Sequence, residues 1–357
     1  MHSHACIFPW AYLRISKFMV STCCYHAATG VTVTGMNRDN NTGTMWDIWN
    51  SPQMQHMRLS MIEDGYSKIC FKSQDTQCYE HIKQMTAYRP LSLVQMRNYK
   101  RINRNFQNKK IVVDNYPAFI QIFLDYKCNL NCPHCFQFAG RNSPVDYGLQ
   151  IVEKPDFFEF LSHAETLNIL GGEATLLKSY DKTIEYCKKL PDLNVLLTTN
   201  GCFLENKVIP HLNCITEMVI SVDGVTPEVY SDMRPSPSGK YDFEHLCGQF
   251  ELLKEALQHH RTYVALSFTV CSKNYTQMPD FVDFAAKYNI PQINIYEIAE
   301  MEYDWLSLKD RVKLAVYQSD TQRLRELAEE TVLRGKQLGV KVSVKLRSID
   351  FFDDGYN

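Results

Sequence analysis

From about residue 112 onward the chain alternates short apolar runs with longer amphipathic segments. The apolar runs predict strands at Phe119–Asp125, Leu167–Leu170, Val195–Thr199, Met218–Val222, Val264–Val270 and Gln292–Glu297. Longer segments predict helices over Ala174–Lys189, Phe203–His211, Phe243–His259, Met278–Tyr288 and Leu308–Leu338. A strand followed by a longer amphipathic segment, repeated along the chain, implies a parallel sheet covered by helices. Six such units predict an α/β fold, a partial (β/α)6 barrel of TIM-like architecture.

The first part of the chain has a different texture, with few regular periods, several turn signals and scattered cysteines and aromatics. Residues 1–96 are therefore expected to form a small cysteine-containing α+β accessory domain, with Trp10, Trp46 and Trp49 as its core. The segment Arg97–Lys110 reads RNYKRINRNFQNKK, basic and Asn-rich without apolar periodicity, and predicts a solvated linker over residues 97–114. The main domain is expected over residues 115–300. A C-terminal helix and a terminal strand in 301–357 would complete the barrel. No internal repeat or low-complexity tract is visible.

Composition narrows the function classes. The chain has 357 residues, 45% hydrophobic and 22% charged, with 38 basic and 40 acidic side chains and a net charge of -2. This balance carries no global signature of nucleic-acid or anionic-membrane binding. No apolar run is long enough to span a bilayer. The opening Met1-His2-Ser3-His4-Ala5-Cys6 lacks the regions of a signal peptide, so a cytoplasmic setting is expected. In that setting thirteen cysteines read as reduced thiols and metal ligands rather than disulfides. Cys187, Cys202, Cys214, Cys247 and Cys271 fall in predicted helices or strands and read as small apolar core residues.

The chemistry concentrates at Cys128-Asn129-Leu130-Asn131-Cys132-Pro133-His134-Cys135, directly after the first predicted strand. Three soft thiolates at C-x3-C-x2-C spacing can hold three irons of one [4Fe–4S] cluster and leave the fourth iron open. A structural zinc site needs four ligands. Here His134, wedged between Cys132 and Cys135, is poorly placed to complete a tetrahedron, and no second knuckle follows nearby. Further polar groups fall at successive strand ends, where parallel α/β proteins build their sites. Gly171-Gly172-Glu173 offers close backbone approach and a carboxylate for an ammonium group. Thr199 and Asn200 begin an Asn-Gly turn and could line a ribose pocket. Ser221 and Asp223 end the next strand, and Arg234 downstream could pair with a carboxylate. Asp223 reads equally as a turn cap. Tyr296 and Glu297 end the last predicted strand of the main domain and could face the same cavity.

The cysteine run, with the elements that follow it in order, resembles the signature of the radical SAM superfamily over residues 115–300. The resemblance implies a radical SAM barrel whose open iron binds S-adenosylmethionine. It assigns Gly171, Gly172 and Glu173 to the methionyl amino group, with Ala174 where a proline is usual. Ser221 and Arg234 fall to the carboxylate and ribose side, and His134, Thr199, Asn200 and Asp223 also to cofactor binding. Implied too are reductive cleavage to a 5'-deoxyadenosyl radical, a peptide or small-molecule substrate, and an electron donor such as flavodoxin or ferredoxin.

The early cysteines resemble the twitch and SPASM accessory domains of that superfamily. They imply a second iron–sulfur cluster held by Cys6, Cys23 (or Cys24), Cys70 and Cys78, although the last two are more widely spaced than the usual C-x2-C. A four-cysteine zinc site is the alternative, and His81 another candidate ligand. The competing functional readings are a non-catalytic iron–sulfur electron-transfer protein and a zinc-stabilised interaction module.

Overall fold

The computed structural model describes residues 6–16, 20–22, 43–63, 90–135, 145–298 and 320–353. The chain packs as two units. The first comprises Met1–Asp125, Pro144–Gly171 and Leu177–Leu196, and the second Tyr126–Ser143, Gly172–Leu176 and Leu197–Asn357.

In the first unit, β1 (Tyr12–Ile15) pairs antiparallel with β2 (Val20–Ser21) and parallel with β3 (Phe119–Phe123). β3 in turn pairs parallel with β4 (Thr166–Leu170), with Ile120 opposite Leu167 and Ile122 opposite Ile169. The β3 sequence FIQIF is buried at four of its five positions, the near-continuous apolar run of a strand covered on both faces. β5 (Asn194–Thr199) runs from the first unit into the second. β1 adds directly to the sheet that the sequence assigned to the main domain alone. Trp10 and Trp49 are fully buried, as the reading of the aromatics required. Their indole N–H groups donate to the carbonyls of Lys110 and Asn115, both at 2.7 Å. Beside them Arg58 is fully buried. Its guanidinium donates to the carbonyls of Pro9 (2.9 Å), Ile111 (2.8 Å) and Trp49 (2.9 Å), and lies over the Trp49 ring.

The expected linker is a helix. Leu93–Gln107 is α-helical, opened by a capping box in which Ser92 and Gln95 satisfy each other's backbone N–H. Its buried residues are Gln95, Asn98, Ile102 and Asn105. Three of the four are amides, so a hydrophobicity pattern cannot show the stripe. Gln95 donates to the carbonyls of Ala164 and Asp192, and Asn98 to those of Tyr116 and His163. Bonded this way, a buried amide avoids the penalty of an unsatisfied polar group. Helices Tyr147–Val152 and Phe157–His163 were also not anticipated; both are under two full turns, too short for periodicity to register.

The second unit continues the predicted alternation. β6 (Glu217–Ser221), β7 (Tyr263–Val270), β8 (Gln292–Glu297) and β9 (Lys341–Leu346) pair parallel in sequence order, and β10 (Phe351–Asp353) closes antiparallel on β9. Helices Phe243–Ala256 and Met278–Lys287 fall where apolar periodicity puts them. The short helix Pro227–Met233 went unpredicted. The segment expected as one helix from Phe203 is a π turn, Leu204–Val208, followed by a 3-10 turn, Ile209–Cys214. Pro210 cannot donate the backbone bond that an α-helix needs there. Within the expected helix Leu308–Leu338, the described part is Thr321–Leu338, ended by Gly339 at φ 70°. No described helix is long and apolar enough to cross a membrane.

Candidate functional site

The cysteine motif lies on the loop that opens the second unit. Cys132 is buried, and Cys128 and Cys135 are half-buried. Leu130, Cys132 and Cys202 form a small buried cluster, with Cys128, Cys135, Phe203 and Tyr241 packed against it. The loop is held by its own backbone and by its neighbours. Cys135 N–H donates to the Cys132 carbonyl at 3.2 Å, and Asn131 N–H to the Pro235 carbonyl at 2.8 Å. The Asn200 amide donates to Asn129 Oδ1 at 2.8 Å and lies 3.9 Å from Cys128 Sγ. No described cysteine is in a disulfide. Burial pushes the Cys132 thiol up to about 12, against the pull of Arg234 toward the thiolate.

Among the described residues no three His, Cys, Asp or Glu side chains converge on a single ion. A tetrahedral zinc needs its donors within about 2.0–2.3 Å of one point. In a cubane cluster each thiolate binds a different iron, so three soft donors spread along a loop fit a cluster better than a lone ion.

Gly172 shows why a glycine stands there. A Cβ at this position would overlap the carbonyl oxygens of Tyr126 and Lys127, the two residues before Cys128. What approaches the glycine is the chain's own backbone, and Glu173 N–H donates to the Lys127 carbonyl at 2.8 Å. Gly171 ends the preceding segment and is half-buried.

The Glu173 carboxylate is fully buried and is occupied from within the chain. Oε1 accepts from the Thr175 hydroxyl (2.6 Å) and the Thr199 hydroxyl (2.8 Å), and Oε2 from the Asn200 backbone N–H (2.6 Å). Burial raises its pKa, and these donors oppose the rise. Glu173, Thr199 and Asn200, read separately from the sequence as ligand contacts, are one hydrogen-bonded assembly that reaches the cysteine loop through Asn129.

Asp223 is buried between the Arg234 guanidinium and the His134 imidazole. Its carboxylate lies 2.5 Å from Arg234 Nη2 and 3.0 Å from His134 Nε2, and its Oδ1 accepts from Thr269 N–H at 2.7 Å. Burial alone would raise its pKa, but Arg234 and His134 hold it well below the usual carboxylate range. Asp223 thus holds both Arg234 and the imidazole that lies between Cys132 and Cys135. Arg234, expected to await a ligand carboxylate, already has this partner. Its Nε and the His134 Nδ1 are buried without a hydrogen-bond partner among the described residues, which leaves polar capacity for a bound polar group. Ser221 Oγ accepts from Ser267 Oγ at 3.2 Å.

Three contributors escaped the sequence reading. Cys202, placed among ordinary core residues, sits against the motif, where burial pushes its thiol up to about 12. Asn274 donates to the carbonyls of Asp223 and Thr269, both at 2.9 Å. Asn129 lay inside the motif, and its pairing with Asn200 needed the fold. Tyr296, read as facing the cavity, is largely exposed, and Glu297 accepts the Ser348 N–H at 2.8 Å. Of the expected second set, Cys6 is described and half-buried, whereas Cys23, Cys24, Cys70, Cys78 and His81 lie outside the described residues.

A loop of three cysteines at the start of a parallel α/β unit, joined through Asn129 and His134 to polar groups that follow three successive strands, is the arrangement of a cluster-binding α/β enzyme. Residues 124–295 of the chain match the model of the radical SAM superfamily. It is 28% identical over 212 residues to mycofactocin maturase MftC of Mycolicibacterium smegmatis, covering 53% of this chain and 52% of that one. It is 26% identical over 168 residues to the antilisterial bacteriocin subtilosin biosynthesis protein AlbA of Bacillus subtilis, covering 46% of this chain and 36% of that one. The chain thus spans about half or less of the length of these curated relatives. In fold it is similar to the crystal structure of Streptococcus suis SuiB, with a TM-score of 0.50 and 15% identity over 94% of this chain and 70% of that one.

Proposed function

We propose that this chain cleaves S-adenosylmethionine reductively at a [4Fe–4S] cluster held by Cys128, Cys132 and Cys135, and uses the product to modify a peptide. Cys128, Cys132 and Cys135 would hold a cluster that, once reduced, would supply the electron for cleavage of the sulfonium to methionine and a 5'-deoxyadenosyl radical able to take a hydrogen atom from the substrate. The observation that carries the reading is the coupling of the cysteine loop to the strand ends: Glu173 with Thr199 and Asn200 on one side, Asp223 with Arg234 and His134 on the other.

The residues have separate tasks in this reading. The three thiolates hold the cluster on a loop whose spacing leaves one iron for the cofactor. The buried thiol of Cys132 must lose its proton on loading, and Arg234 beside it favours that loss. Gly171, Gly172 and Glu173 shape the wall that receives the methionyl amino group, with Glu173 acting by fixing that wall. Thr199, Asn200 and Ser221 line the nucleoside side. Asp223 keeps His134 and Arg234 oriented, and burial of Leu130 and Cys132 limits water at that part of the loop.

The names of the relatives, a maturase and a bacteriocin biosynthesis protein, fit a peptide substrate. The reading extends to an electron donor such as a flavodoxin or ferredoxin, to a cytoplasmic setting without nucleic-acid or membrane partners, and to a second cluster involving Cys6, Cys23, Cys70 and Cys78. The test is 5'-deoxyadenosine formation by anaerobically reconstituted protein with S-adenosylmethionine and dithionite. Product that disappears in Cys132→Ala is expected. Undiminished product in that variant would overturn the assignment, and metal analysis giving zinc without sulfide would favour an interaction module.

A further inference from the structure

The helix Leu93–Gln107 carries a second feature, on the side that presents Arg97 and Arg101. Arg97, Arg101, Asn98, Val94 and His163 line an open cavity of about 130 Å³ in the first unit. Arg97 and Arg101 are one helical turn apart, so both guanidinium groups lie on the same face. Neither makes an ion pair or hydrogen bond with any described residue, whereas the next basic residue of the run, Arg104, is paired with Asp114 at 2.7 Å. The Glu159 carboxylate, in the helix that also holds His163, is already taken by the Tyr116 hydroxyl at 2.5 Å. The His163 ring is fixed by stacking on Tyr116 at 3.9 Å, and its Nδ1 lies 3.0 Å from the Glu159 carbonyl. The Asn98 side chain is held by the Tyr116 and His163 carbonyls. The floor of the cavity is therefore held in place, and neither guanidinium has a carboxylate within ion-pair distance among the described residues.

Next to these cations the same helix exposes Leu93, Val94 and Met96, at 68%, 41% and 41%. Large apolar side chains in solvent beside unpaired cations make an amphipathic face. From Arg97 to Lys110 the chain holds six basic residues and no acidic one.

We propose that this face binds an acidic peptide segment, with a side-chain carboxylate seated between Arg97 and Arg101 and neighbouring apolar residues packed on Leu93, Val94 and Met96. Arginine suits this task because its planar fork meets both oxygens of a carboxylate. Charge complementarity favours an acidic partner, and the apolar residues favour a peptide over a free small anion. The inference does not rest on the catalytic reading, since the bound segment need not be the one that is modified.

The test uses the full chain and a fluorescein-labelled peptide of repeating Leu-Glu-Glu, read by fluorescence anisotropy. Binding is expected, with a loss of roughly tenfold or more in Arg97→Glu/Arg101→Glu, about 1.4 kcal/mol at 25 °C. A peptide with Gln in place of Glu is expected not to bind. Lys109→Glu/Lys110→Glu carries the same change in net charge on the same segment but away from the cavity, and is expected to bind within twofold of the parent. Equal weakening in both double variants would overturn the proposal, because attraction would then be bulk charge. Displacement of the peptide by millimolar phosphate as effectively as by unlabelled peptide would also overturn it, in favour of a small-anion site. Circular dichroism of each variant separates lost binding from lost fold. 5'-Deoxyadenosine formation, measured in parallel, tests the catalytic reading separately.

Discussion

The Glu173 carboxylate accepts the backbone N–H of Asn200 at 2.6 Å, so the segment after β4 holds the turn after β5. The Asn200 side chain in turn reaches Asn129 in the cysteine motif. Strand ends far apart in sequence are thereby fixed to the loop that would hold the cluster. Glu173→Gln keeps the size and removes the charge, and its amide must point one N–H pair at a donor. It is expected to lower stability by about 2–3 kcal/mol, the loss of charge-assisted hydrogen bonds. S-Adenosylmethionine affinity should fall at least tenfold, measured by calorimetric titration of the reconstituted protein. Unchanged affinity would detach this carboxylate from the cofactor wall.

Gly172→Ala places a methyl against the carbonyls of Tyr126 and Lys127. Backbone cannot yield as a flexible side chain can, so the loop before Cys128 must shift, at about 1–3 kcal/mol. Reconstituted iron and sulfide per chain are expected to drop below half of the parent value. Gly248→Ala, at a helical glycine with open space around it, is the control for iron content.

Asp223→Asn leaves Arg234 and His134 facing a neutral amide. Removing one member of a buried pair strands the other charge, so a loss of about 3–5 kcal/mol is expected at neutral pH. The sign with pH follows from the direction of the shift: Asp223 is held below its ordinary pKa. Its contribution is complete above the unfolded-state value and is lost as pH falls through the folded value. The gap between parent and variant in urea midpoint should therefore narrow on acidification. A gap independent of pH would mean that the carboxylate charge is not what stabilises.

Arg58→Ala removes a buried guanidinium from three backbone carbonyls of segments that meet around Trp49. Acceptors left unsatisfied cost about 1–3 kcal/mol each, partly relieved by entering water. A fall of several degrees in the melting temperature is expected. Arg58→Lys should recover only part of it, because one ammonium cannot span the geometry of the fork.

How much of this was legible depended on the period of the signal. Strands of continuous apolar residues such as β3 and β7 were readable to within a residue or two, since burial on both faces leaves nothing else they could be. The cysteine motif was readable because its chemistry is local. Glu173, Thr199 and Asn200 each stand out in the sequence, but their mutual bonding does not, because it joins positions 26 and 27 residues apart. Asp223 was found and its partners were not, since nothing in the sequence says that His134 turns toward it. The helix over 93–107 was missed for another reason: Asn and Gln count as polar in any periodicity, whether they face water or a row of carbonyls.

Residues 95 and 98, each bonded to two backbone carbonyls, are restricted in how they can vary. An apolar contact survives exchange of Ile for Leu or Val, since area and volume decide it. An amide that spans two carbonyls has no such synonym: Asp lacks the donors, and Leu leaves both acceptors stranded. The buried face of this helix is therefore expected to accept very few letters, and its exposed face many, the reverse of what a basic tether between domains would allow.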